Sequence, residues 1–168
     1  VTVDEPVHIL AGYRHWQCAD FGINPEHPPL LKLIAAAPLT IRTLTDPPWQ
    51  CGSKLTSKFD SFSYGNTFLL ENGTDSIVIP TRLASSLVAL VLAILVFLAG
   101  LEMFGRWQAL VALGILAFEP NIIAHGSVVT TDVAVSTMAF AAVYALYRYC
   151  KEPGALRFVV AGVAVGLL

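Results

Sequence analysis

The chain alternates between two textures. From Leu83 to Leu101, nineteen residues pass without a charge between Arg82 and Glu102. About twenty apolar residues cross the hydrocarbon core of a bilayer, so this run predicts a transmembrane helix over 83–101. A second apolar run, Val133 to Tyr147, lies between Asp132 and Arg148. It reaches across the membrane when its polar-flanked ends sit in the headgroups, which predicts a span over about 131–148. Between the two, Trp107 to Phe118 is uncharged and extends through Ile122, Ile123 and Ala124 past Glu119-Pro120. A helix lying in the interface would carry a charged face, and this one has none, so a third span is expected over about 105–124. Phe158 to Leu168 begins a fourth, truncated span. Val1 is not an initiator methionine and the last residues fall inside an apolar run, so the chain is expected to be a fragment of a larger protein.

Residues 1–80 read differently, as a polar first loop preceding the helices of 81–168. Pro6 suits the first turn of a helix running to about Trp16, with Asp4 near its N-cap. Pro28 opens a short helix through Leu30, Leu31, Leu33 and Ile34 that Pro38 ends, too short to span and expected in the interface. Residues 43–76, rich in Ser, Thr, Asp and Gly, are expected to form a surface loop. The expected fold is an all-α integral membrane protein: a multi-span helix bundle with an outer loop carrying short interfacial helices.

Composition agrees. The 168 residues are 55% hydrophobic and 13% charged, about half the charge of an ordinary soluble domain. Residues 1–79 hold 13 of the 22 charged side chains. Lys and Arg in the short connections orient the bundle: Arg106 follows the first span, Arg148, Lys151 and Arg157 follow the third, and 119–132 has neither residue. By the positive-inside rule, 102–108 and 148–157 are cytoplasmic, while 1–80 and 119–132 are outside. A net charge of −2 with no basic stripe argues against nucleic acid as a partner. Cys18, Cys51 and Cys150 show no metal-binding spacing. Cys18 and Cys51 could pair in an oxidising compartment, but plain thiols are the expectation.

Several ionisable groups gather in the outer segments. Asp4 and Glu5 are adjacent, so on a helix they diverge by about 100° and cannot both face one substrate group. One is then a candidate base and the other structural, or both serve only the helix start. Glu26-His27-Pro28-Pro29 is a rigid turn whose prolines hold the preceding residues extended. Glu26 and His27 could ligate a metal with His8 or His125, or could simply hold the turn against the first helix. Arg82, at the entry to the first span, either snorkels to the headgroups or holds an anionic phosphate with its planar guanidinium. Asp132 follows Thr130-Thr131 and caps a helix unless it joins a site; Glu119 and His125 share its loop.

The order Asp4-Glu5-Pro6-Val7-His8, then Glu26-His27-Pro28-Pro29-Leu30-Leu31-Lys32, then Arg82 and Pro120…Thr131-Asp132 resembles the protein O-mannosyltransferase family. These are integral-membrane glycosyltransferases of the GT-C class, and the Glu26-His27 variant looks like bacterial members that use lipid-linked donors. The resemblance implies transfer of a sugar from a polyprenyl-phosphate carrier to a hydroxyl acceptor on the extracytoplasmic side, in a bacterial plasma membrane. It implies Asp4, with Glu5 beside it, as the catalytic pair. It also implies Arg82, His27, Lys32, Glu26, Asp132 and His8 on the side of substrate and carrier phosphate. No cofactor is required by this chemistry. A distant likeness to aminoarabinose transferases makes Glu26 a candidate metal ligand. Two competing readings are a transporter or channel subunit, which would place charges near the bilayer midplane, and a non-catalytic membrane scaffold. The uncharged run 83–101 speaks against the first, and replacing Asp4 separates the second from an enzyme.

Overall fold

The computed structural model describes residues 1–45, 51–52 and 58–167. Among them every regular element is helical: α1 Glu5–Cys18, α2 Pro29–Ala36 running into a 3-10 turn Ala37–Leu39, α3 Lys58–Glu71, α4 Thr74–Phe104, α5 Arg106–Ala117, α6 Pro120–Gly126, α7 Thr131–Lys151 and α8 Ala155–Gly166. The helices α4 and α7 are long and apolar enough to cross a bilayer, and α5 with α6 makes a third candidate, bent by 64° at its break. Pro120 explains the break, because it lacks an N–H and disfavours helical backbone at Glu119. The Glu119 carboxylate then starts α6, accepting the Ile122 amide at 2.7 Å and the Asn121 side chain at 2.8 Å. The chain is an all-α membrane protein.

The described chain forms two compact units, Val1–Leu87 with Gly126–Thr131, and Val88–His125 with Asp132–Leu168. In the first, α1 is the central helix. Every residue from Glu5 to His15 is buried, including Glu5, His8, Arg14 and His15, as α2 and α3 pack on it. Two glycines permit the close approach. A Cβ on Gly12 would lie 2.0 Å from the Lys32 carbonyl oxygen of α2, and one on Gly65 of α3 would lie 2.8 Å from the Pro6 carbonyl. Trp16 Nε1 donates to the Leu33 carbonyl at 2.9 Å and ties the same pair of helices.

Helix α3 occupies part of the stretch expected to be a loop. Its buried residues are Ser61, Gly65, Phe68 and Leu69, spaced as one helical face. Half of that face is Ser and Gly, chosen for contact with α1, so composition disguises it as a turn-rich segment. Residues 46–50 and 53–57 of the expected loop lie outside the described residues. The expectation of plain thiols also fails for two cysteines: Cys18, at the end of α1, is disulfide-bonded to Cys51.

Helix α4 begins earlier than the apolar run, at Thr74, and contains Pro80. Proline removes the amide that would bond the carbonyl four residues back, at Ser76. Arg42 Nη1 supplies the missing donor to that oxygen at 2.6 Å, so the helix continues unbroken. In the second unit, Gly100 of α4 packs against Ala109 of α5. At the end of α4, Glu102 accepts the Tyr144 hydroxyl at 2.7 Å and pairs with Arg148 and Lys151 of α7, each at 3.4 Å.

Candidate functional site

The site is built on the start of α1, where the two neighbouring carboxylates part company. Glu5 is completely buried. Its Oε1 accepts Arg82 Nε at 2.7 Å and the Val129 amide at 3.0 Å. Its Oε2 accepts Arg82 Nη2 at 2.7 Å and the Thr2 amide at 3.0 Å. A carboxylate offers about four acceptor positions, and all are taken. Burial by itself pushes Glu5 up, but the Arg82 guanidinium and the two amides outweigh it and hold the group below the usual carboxylate range. The pair is a fork-to-fork contact, with Arg82 34% exposed on its far side.

Asp4 does the opposite. It stands at the N-cap of α1, yet its side chain makes no capping bond. Instead it lines a cavity of about 450 Å³, within the range of roughly 300–1,000 Å³ typical of small-molecule sites. The Asn24–His27 turn forms another wall, and Lys58, Ser61 and Phe62 of α3 a third.

That turn is held from beneath. Asn24 adopts left-handed backbone, φ 53°, which asparagine tolerates better than most residues. Its carbonyl accepts the His27 amide at 3.4 Å and Lys32 Nζ at 2.5 Å. Lys32 is only 1% exposed, and burial lowers its amine to about 8. Its ammonium therefore sits under the turn rather than open to the cavity. Glu26 pairs with Lys58 at 2.7 Å, and that hydrogen bond lowers its carboxyl. The His27 ring meets the buried His8 ring edge-on at 5.2 Å, and its Nδ1 lies 3.4 Å from Thr131 Oγ1. Asp132 belongs with the second unit, where its Oδ2 lies 3.2 Å from His125 Nδ1. Among the described residues no three His, Cys, Asp or Glu side chains converge as metal ligands.

Of the residues singled out from sequence, Asp4, Glu26 and His27 thus share the cavity, the buried Glu5 pairs with the partly exposed Arg82, and His8 and Lys32 support the turn. Sequence reading missed Asn24, Lys58, Ser61 and Phe62. The helical spacing of Ser61, Gly65, Phe68 and Leu69 was the available sign that α3 exists.

The cavity thus presents the Asp4 carboxylate among polar walls, while Arg82, held by Glu5, is not among the residues that line it. No curated protein and no solved structure matches the chain. The family model described as dolichyl-phosphate-mannose-protein mannosyltransferase matches residues 67–168. That is more than half of the sequence, and the chain belongs to this family of glycosyltransferases.

Proposed function

We propose that the chain transfers a sugar from a polyprenyl-phosphate carrier to a hydroxyl acceptor on the extracytoplasmic face, with Asp4 as general base. The observation that carries this reading is the division of labour between neighbours: Glu5 spends its whole carboxylate on Arg82 and two amides, while Asp4 caps nothing and opens into the cavity. The family match begins at residue 67, so it covers Arg82 and leaves Asp4, Glu5 and the Glu26-His27 turn to the geometry.

In this reaction the Asp4 carboxylate accepts the proton of the acceptor hydroxyl as its oxygen attacks the anomeric carbon. The bond from that carbon to the phosphate oxygen breaks, and the carrier phosphate leaves with the electron pair. The far edge of Arg82 stabilises the departing charge, and in-line displacement inverts the anomeric centre. Glu5 acts through Arg82 as a positioning residue, and Lys32 through the Asn24 carbonyl. Two features support the outside location: the short connections 102–108 and 148–157 carry Arg106 and Arg148, Lys151 and Arg157 whereas 119–132 has no Lys or Arg, and a Cys18–Cys51 disulfide persists in an oxidising compartment. A bacterial plasma membrane is the proposed setting.

The test is Asp4→Asn in the full-length enzyme, with polyprenyl-phosphate mannose as donor. A general base contributes about 10²–10⁴-fold, so turnover should fall by that factor while the melting temperature holds. Near-normal turnover would show that Asp4 is not the base.

A further inference from the structure

A second cavity, of about 310 Å³, lies within the second unit and shares no residue with the one that Asp4 lines. Ala145 and Arg148 of α7 line it, with Leu156, Arg157 and Val160 of α8. Two guanidiniums and three apolar side chains thus meet there, with no carboxylate among the described lining residues. Their order along the helices matters. Arg148 stands in the last turn of α7 and Arg157 in the first turn of α8. Ala145 precedes Arg148 by one helical turn and Val160 follows Arg157 by one, so each lies about 4.5 Å further from the helix end. Charge therefore sits at the ends of two apolar helices, and the apolar wall lies a turn deeper.

The arginines are aligned without being used up. Glu152 holds Arg157, with Nη2 2.5 Å from its Oε2 and Nη1 donating to its carbonyl at 2.7 Å, which leaves the other N–H donors open. Arg148 reaches an acid, among the described residues, only through Nε, 3.4 Å from Glu102. That is longer than a good N–H···O bond. The Tyr144 ring lies 5.9 Å from its guanidinium carbon and helps to orient it. With Lys151 included, three cations face Glu102 and Glu152, and one positive charge is left in excess.

We infer that this cavity binds the headgroup of an anionic phospholipid, its phosphodiester accepting hydrogen bonds from Arg148 and Arg157 while an acyl chain runs past Val160. Planar guanidiniums match phosphate oxygens, and basic pockets between membrane helices are suited to anionic headgroups. The ends of apolar helices lie at headgroup depth, where such a phosphate is found. Leu156 is 76% exposed and Val160 51%, an apolar path that a soluble anion would leave unused. A zwitterionic headgroup would bring its own ammonium against the guanidiniums. In the orientation proposed above, the lipid belongs to the cytoplasmic leaflet. The site uses none of the residues assigned to sugar transfer, so the two proposals stand or fall separately.

The experiment titrates full-length protein in neutral detergent, where no charged membrane surface attracts lipid in general. Phosphatidylglycerol and phosphatidylcholine are the lipids, glycerol 3-phosphate is the soluble competitor, and native mass spectrometry counts bound molecules. Wild type should bind phosphatidylglycerol more tightly than phosphatidylcholine, and glycerol 3-phosphate should not displace it. Arg148→Gln and Arg157→Gln should each cut that preference roughly fivefold. Ala145→Leu fills the deeper wall, leaves both arginines in place, and should cut it as well. Arg106→Gln removes a cation that does not line the cavity and should change nothing. The site is overturned if wild type shows no preference, if the preference survives the two Gln variants and Ala145→Leu, or if Arg106→Gln weakens it equally. Displacement by glycerol 3-phosphate would also overturn it, leaving a pocket for soluble anions in its place.

Discussion

Glu5→Gln is the substitution on which the architecture of the site makes its sharpest demand. The change conserves size and removes one charge. Whichever way the new amide turns, its NH₂ faces two donors: Arg82 Nε with the Val129 amide, or Arg82 Nη2 with the Thr2 amide. Breaking a fully buried ion pair costs about 3–5 kcal/mol. Here Arg82 is 34% exposed, so water recovers part of that loss and about 2–3 kcal/mol is expected. For a protein of this size each kcal/mol moves the melting temperature by about 2–4 °C, so Glu5→Gln should melt roughly 5–10 °C lower. Its turnover should also fall, because Arg82 loses the fork that aims it. The pH dependence carries a second signature. Glu5 is held below its ordinary value of 4.5, so its stabilisation is present above that pH and is lost as pH falls through the lower folded-state value. Wild type should therefore lose stability on acidification below about pH 4.5 more steeply than Glu5→Gln. Thermal unfolding of the full-length protein in nanodiscs, read by intrinsic fluorescence across pH, measures both effects. A Glu5→Gln protein that melts with wild type and shows the same acid limb would refute the anchoring role.

Two further outcomes follow from the packing and the proposed orientation. Gly12→Ala places a methyl group 2.0 Å from the Lys32 carbonyl oxygen, a backbone atom that cannot step aside, so α1 and α2 must part. A loss of at least about 3 kcal/mol is expected, measured as a lowered melting temperature or failure to yield folded protein; an unchanged melting temperature would show that the two helices do not meet as described. Cys150 is a free, exposed thiol at the end of α7. If 148–157 is cytoplasmic, Cys150 should resist a membrane-impermeant maleimide added to intact cells and react after permeabilisation. Labelling from outside would invert the topology and move the proposed site to the wrong face.

What sequence by itself determined was the part governed by one-dimensional rules. A bilayer accepts long uncharged runs and little else, so the apolar stretches at 83–101 and 133–147 announced α4 and α7 directly. Prolines punctuate backbone wherever they stand, and Pro6 and Pro28-Pro29 marked the openings of α1 and α2, although the expected span over about 105–124 ran past Pro120, where the structure breaks it into α5 and α6. The adjacency of Asp4 and Glu5 even required that they face different ways.

Only the tertiary structure decided which of the two faced what. Glu5 turns inward because Arg82 and the amides of Val129 and Thr2, far apart in sequence, converge on it. Its neighbour is left to the cavity. The helix α3 was hidden for a related reason: its packing face is built from Ser61 and Gly65, residues selected for closeness to α1 rather than for hydrophobicity. Lys32 looked like a phosphate-binding cation, yet its ammonium is buried beneath the Asn24 carbonyl. Charge and residue type are written along the chain. Which charges are neutralised within the fold and which stay available to a substrate depends on contacts between distant segments, and local pattern carries no record of those.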